Sequence, residues 1–148
     1  MTREQILTEI KRYFDITELV CDHTFAKFGE RSWQFLDTYA LWCLLIIRRD
    51  IVKMPMYCNS KSSHQKGLRC NMCQLVKSKG SIYLTMHSFG KAFDLTCAGM
   101  KAEKMRELIK ANAHLFPCPI RIEGGVSWLH FDVLQQYGVS QKVYEFKA

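Results

Sequence analysis

A chain of 148 residues, 48% apolar and 24% charged, has the length of one ordinary domain and is too rich in hydrophobic residues for intrinsic disorder. Lys and Arg outnumber Asp and Glu by 21 to 14, a formal charge of +7 that favours acidic polymers as surroundings. The basic residues stand singly or in pairs such as Arg48-Arg49, and the longest apolar run, residues 40–47, is far short of the roughly 20 residues of a membrane span, so neither a nucleic-acid partner nor a membrane is expected, and a monomer is.

The opening MTREQILTEIKRYF places Ile6, Leu7, Ile10 and Phe14 at helical spacing among charged residues, which predicts an amphipathic helix. It has neither the apolar stretch nor the small-residue cleavage site of a secretion signal, so synthesis in a cytoplasm is expected. Trp33, Leu36, Ala40, Cys43, Leu44 and Ile47 continue the helical period with apolar neighbours on other faces; this predicts one long core helix. Residues 59–81 turn to Ser, Lys, Asn, Gln and Gly and predict a long irregular excursion. Residues 101–115 predict a helix through Met105, Leu108 and Ile109, stopped by Pro117 and Pro119. Ile120 and Ile122 then alternate with Arg121 and Glu123, Gly124-Gly125 permits a turn, and residues 127–133 alternate again, predicting two strands. A last strand over 142–146 would close the sheet. No repeat or internal boundary interrupts the chain. The expectation is a single α+β domain over 1–148, residues 1–50 forming N-terminal helices and 51–148 a core that carries the site, with helices packed on a small, mainly antiparallel sheet.

The chemistry gathers in two segments. Met86-His87-Ser88-Phe89-Gly90-Lys91-Ala92-Phe93-Asp94 offers a histidine and an aspartate, and the strand Ser127-Trp128-Leu129-His130-Phe131-Asp132-Val133 puts Trp128, His130 and Asp132 on one face. A catalytic zinc needs three nitrogen or oxygen donors and one open position for water, a set these segments can supply together. Asp132, two residues beyond His130, is placed to orient that histidine or a neighbouring loop.

The pattern H-x-x-G-x-A-x-D followed by W-x-H-x-D resembles that of the zinc D-alanyl-D-alanine carboxypeptidase and L-alanyl-D-glutamate endopeptidase family. This family includes vancomycin-resistance dipeptidases and phage endolysins and shares its fold with the Hedgehog signalling domain. The resemblance rests on the two motifs and on element order over roughly residues 50 to 135. It implies the Hedgehog/DD-peptidase fold, Zn2+ held by His87, Asp94 and His130, and Arg69 of Gly67-Leu68-Arg69 binding a substrate carbonyl or carboxylate. Several family members carry their general-base glutamate three residues before the second histidine; here that position is Ser127, which cannot act as a base, and Glu123 before the Gly-Gly turn takes the role. The implied substrates are peptidoglycan stem peptides, cut as by a carboxypeptidase or an endopeptidase, without an organic cofactor. A wall-degrading hydrolase made without an export signal fits a phage lysis protein that reaches the wall on phage-induced lysis.

Seven cysteines without an export signal predict reduced thiols. Cys58, His64, Cys70 and Cys73 contain one C-x-x-C step and enough donors for a closed second zinc, against the plainer reading of packed thiols; both stay open. Cys21, Cys43, Cys97 and Cys118 read as small apolar residues. Two other functions also stay open: a zinc-containing binding module of the same fold without hydrolytic activity, and a basic nucleic-acid-binding protein whose cysteine loop is a zinc knuckle.

Overall fold

The computed structural model describes residues 1–60 and 62–147, and local capping explains how its helical first third begins. Thr2 accepts from the Gln5 N–H while the Gln5 side chain reaches back to the Thr2 N–H, and this box starts α1 (Arg3–Ile10). Asp15 and Glu18 start α2 (Ile16–Leu19) in the same way, and α3 (Asp22–Phe28) follows. Ile6, Ile10 and Phe14 are buried, as the spacing implied, while Leu7 is half-buried; Ile16 and Leu19 of α2 join the same core.

The long helix expected across Trp33 to Ile47 is two pieces. Trp33 belongs to a 3-10 segment, Gly29–Phe35. Asp37 then caps α4 (Thr38–Ile46), its carboxylate accepting from the Tyr39 and Ala40 N–H groups. A capping residue is extended, so no helix runs through it, even though Trp33 and Leu36 point into the same core and keep the apolar period intact. The α4 helix widens into a π-type segment, Ile47–Val52, that ends at Lys53 with φ of 58°. Ala40, Leu41, Cys43, Leu44, Leu45 and Ile47 are all buried; this is the central core helix.

Five strands form one sheet: β1 (Met56–Tyr57), β2 (Ala92–Cys97), β3 (Ile120–Glu123), β4 (Leu129–Asp132) and β5 (Val143–Phe146), in the order β1-β2-β4-β3-β5. The pairs β1-β2, β2-β4 and β3-β4 are antiparallel and β3-β5 is parallel. The sheet is thus mixed, and β5 lies at its edge. The strands β1 and β2 escaped the sequence reading, β2 because Ala92 to Leu95 are buried in succession and show no alternation. Between β1 and β2 runs the expected excursion, which holds the short α5 (Gln74–Lys77) among its described residues. The helix expected at 101–115 is α6 (Ala102–Ala111) followed by a 3-10 turn.

Register decides what the sheet presents. Asp94 faces His130 across β2-β4, and Asp132 is opposite both Ala92 and Arg121. Side chains alternate across a strand, so Asp94, His130, Asp132, Arg121 and Glu123 share one face. Phe93, Leu95, Ile122, Leu129 and Phe131 take the other, where each is wholly buried against the helices. Helices of residues 1–50 and strands of the rest share this one apolar cluster, which makes the protein a single-domain α+β fold.

Candidate metal centre

His87 rides on a 3-10 turn, Met86–Phe89, that closes at Gly90 with φ of 65°. A side chain on Gly90 would also collide with the Phe35 carbonyl oxygen, 2.1 Å from its Cβ, so glycine is required there twice over. The Gly90 carbonyl accepts from the Asp37 N–H at 2.9 Å, which ties the turn to the cap of α4. The His87 Nδ1 lies 2.9 Å from the Gly67 carbonyl oxygen. A carbonyl only accepts, so the Nδ1 carries a proton and Nε2 is the nitrogen turned toward the centre. That Nε2 is 3.4 Å from Asp94 Oδ2.

On the sheet, His130 Nδ1 is 2.8 Å from Asp94 Oδ1 and its Nε2 is 3.1 Å from Asp132 Oδ2. Asp132 is itself clamped. The Arg121 Nε and Nη2 donate to its two oxygens at 2.9 and 2.8 Å, and the Leu134 N–H adds a bond of 3.0 Å. The Arg121 guanidinium lies over the Phe146 ring, 4.6 Å from its centre, and the same ring meets His130 edge-on.

Ligand atoms of His87, Asp94 and His130 lie within 4.8 Å of one another, all three side chains are buried, and they open on a cavity of about 430 Å³. Burial works against charge on Asp94, yet the hydrogen bond from His130 and the nearness of His87 outweigh it and hold the carboxyl far below the usual carboxylate range. Burial likewise opposes an imidazolium at His130, but Asp132 and Asp94 on either side push it up to about 9. Asp132 is kept ionised against its burial by His130 and Arg121. His87 Nε2, Asp94 and His130 Nδ1 face one another while the outer nitrogens are held by a carbonyl and a carboxylate, the arrangement that orients metal-ligating histidines. These three side chains can hold a metal ion, and three protein donors leave a coordination position open.

The other residues expected from sequence fall around this trio. Arg69 is at the wall of the cavity, its Nη2 3.1 Å from Asp94 Oδ2 and its Nε donating to the Gln65 carbonyl. Glu123 lines the same cavity. Asp94 and Asp132 are occupied by the histidines and arginines, so Glu123 is the lining carboxylate left over from those contacts. Ser127 lies on a different cavity, beside Thr96 and Met105. Sequence reasoning missed the Gly67 carbonyl, the Arg121 clamp and Arg106. From α6, Arg106 donates to the carbonyls of Glu123, Val126 and Trp128 at 3.1 to 3.2 Å and pins the turn between β3 and β4.

The second ligand set requires correction. Cys58 is packed in the core at 1% exposure, where burial pushes its thiol up, and His64 Nδ1 lies 2.9 Å from Asp22. Cys70 and Cys73 gather instead with Cys21 and His23, so Cys21, read from sequence as a small apolar residue, belongs to this group of possible ligands. Cys43 and Cys118 meet at 3.8 Å beside the core, and all seven cysteines are free thiols.

No family model, no curated protein and no solved structure matches this chain.

Proposed function

We propose that this protein is a zinc-dependent peptidase of the D-alanyl-D-alanine carboxypeptidase and L-alanyl-D-glutamate endopeptidase type, with a Hedgehog/DD-peptidase fold, acting on peptidoglycan stem peptides. One observation carries the reading: His87 Nε2 and His130 Nδ1 turn toward Asp94 while Gly67 and Asp132 hold their outer nitrogens. His87, Asp94 and His130 would hold Zn2+, which when bound acidifies a water to a pKa of roughly 7 and polarises a carbonyl.

The chain's own groups divide the remaining work. Asp132 accepts four hydrogen bonds, from His130, Leu134 and twice from Arg121; with its lone pairs engaged it orients His130 and takes no proton. Glu123 is the base, accepting a proton from the attacking water and returning it to the leaving amine nitrogen. Arg69 steadies the substrate carbonyl oxygen or a substrate carboxylate with the donors that Asp94 and Gln65 leave unused. Trp128 and Leu84, both lining the cavity and partly exposed, offer apolar surface to the peptide. Every one of these groups comes from one chain, so a monomer suffices. The surplus of seven positive charges suits a carboxylate- and phosphate-rich wall, and an endolysin made in the cytoplasm and released on phage-induced lysis fits the whole.

Incubation of the purified protein with peptidoglycan, with and without a chelator, tests the reading by mass analysis of the products. Release of peptide fragments that chelation abolishes is expected, and Glu123→Gln should keep its metal while hydrolysis falls by at least about a hundredfold. A zinc-loaded protein that binds peptidoglycan and never cleaves it would make this a binding module of the same fold.

A further inference from the structure

Apart from the cavity of His87, Asp94 and His130, the chain gathers a second set of metal-ligating side chains. Cys21 and His23 stand at the start of α3, Cys70 and Cys73 in the excursion just before α5, and one ligand atom of each lies within 4.8 Å of the others. The backbone already joins the two segments. The Cys21 N–H donates to the Leu68 carbonyl at 3.0 Å and the Leu68 N–H to the Leu19 carbonyl at 2.9 Å, as part of a parallel bridge between Val20 and Leu68. Gly67 permits the approach, since a Cβ there would meet the Leu19 carbonyl oxygen at 2.1 Å. The C-x-x-C step is wound as a ligand loop. The Cys73 N–H donates to the Cys70 carbonyl at 3.2 Å, and the Met72 N–H points at Cys70 Sγ at 3.3 Å. Cys73 Sγ is 3.9 Å from His23 Nδ1.

We propose that Cys21, His23, Cys70 and Cys73 form a structural zinc site that clamps the excursion to α3. Three sulfurs and one imidazole are a zinc donor set, and four protein donors leave no open position, which marks the site as structural. A tetrahedral zinc about 2.3 Å from its sulfurs keeps them about 3.8 Å apart, and the four ligand atoms here lie within 4.8 Å of one another. Packing alone explains the buried Cys21 and Cys73, but it does not bring the exposed His23 and the half-buried Cys70 to the same point. The clamp lies next to groups that matter elsewhere: Cys70 adjoins Arg69, and the bridged Leu68 adjoins Gly67, whose carbonyl orients His87. This assignment stands independently of the peptidase reading.

Cobalt alone, titrated into metal-stripped, fully reduced protein, is the test. The wild type should take up two equivalents, one of them with a sulfur-to-cobalt charge-transfer absorption that the sulfur-free set of His87, Asp94 and His130 cannot produce. The double variant Cys70→Ser/Cys73→Ser should lose that absorption and one equivalent, whereas His87→Ala should keep the absorption. If the double variant does not fold, His23→Ala, which retains every thiol, should shift the absorption and weaken cobalt binding. Absence of charge-transfer absorption in the wild type, its persistence in the folded double variant, or an unshifted spectrum in His23→Ala overturns the site.

Discussion

His130 is held at both ring nitrogens, by Asp94 on one and Asp132 on the other. Removing it or His87 takes away one of three donors, and two protein donors are too few to hold zinc tightly. Metal analysis of His87→Ala and His130→Ala, with the thiols blocked so that the cysteine cluster holds nothing, should find the centre empty in both. Asp132→Asn should act more mildly. It leaves the three donors in place but weakens the orientation of His130, and loss of such an outer partner typically lowers metal affinity about 10- to 100-fold; competition with a chelator reads this directly. Arg69→Lys keeps the charge but loses the planar fork that grips a carboxylate at two points. Turnover should fall with metal content unchanged, and equal kinetics would remove Arg69 from substrate binding.

At the scale of elements, two devices bring distant segments to the centre. The first is the tight seat of Gly90 against Phe35, which positions the His87 turn over the cap of α4. Gly90→Ala meets both a positive φ and a backbone oxygen, so it should destabilise the fold by more than about 1 kcal/mol, read from the urea midpoint, and should lower metal content with it. The second is Arg106, only 3% exposed, which satisfies three carbonyls of the turn that carries Glu123 to β4. Each carbonyl left dry costs about 1–3 kcal/mol, and Arg106→Ala should therefore cost at least about 2 kcal/mol in denaturant unfolding. A residue in a helix of strong apolar period gives no hint of such a role, because Arg106 turns inward beside Met105 and Ile109 to meet partners from β3 and β4.

For the whole molecule, ligands that bind only the folded state stabilise it, by about 2.7 kcal/mol when free metal is a hundred times its Kd. Stripping metal from the wild type should thus lower the thermal midpoint, and the Cys70→Ser/Cys73→Ser variant should show the smaller drop, having one site less to lose. The amino-acid order alone determined the α+β class, the amphipathic first helix and the hairpin of β3 and β4, and its motif resemblance singled out His87, Asp94 and His130, which the fold brings together. These follow from periods of 3.6 and 2 and from residue types spaced within short segments, properties that need no partner to be read. Tertiary structure decided the rest. The break at Asp37 is invisible to apolar period because Trp33 and Leu36 serve the same core on either side of it, and β2 is invisible because it is buried on both faces. Cys58 and His64 lie as close in sequence to Cys70 and Cys73 as any ligand pair, yet Cys21 and His23 are the ones beside them. Chain proximity limits which residues can meet, but the backbone bridge of Val20 to Leu68, set by packing of the whole core, selects which ones do.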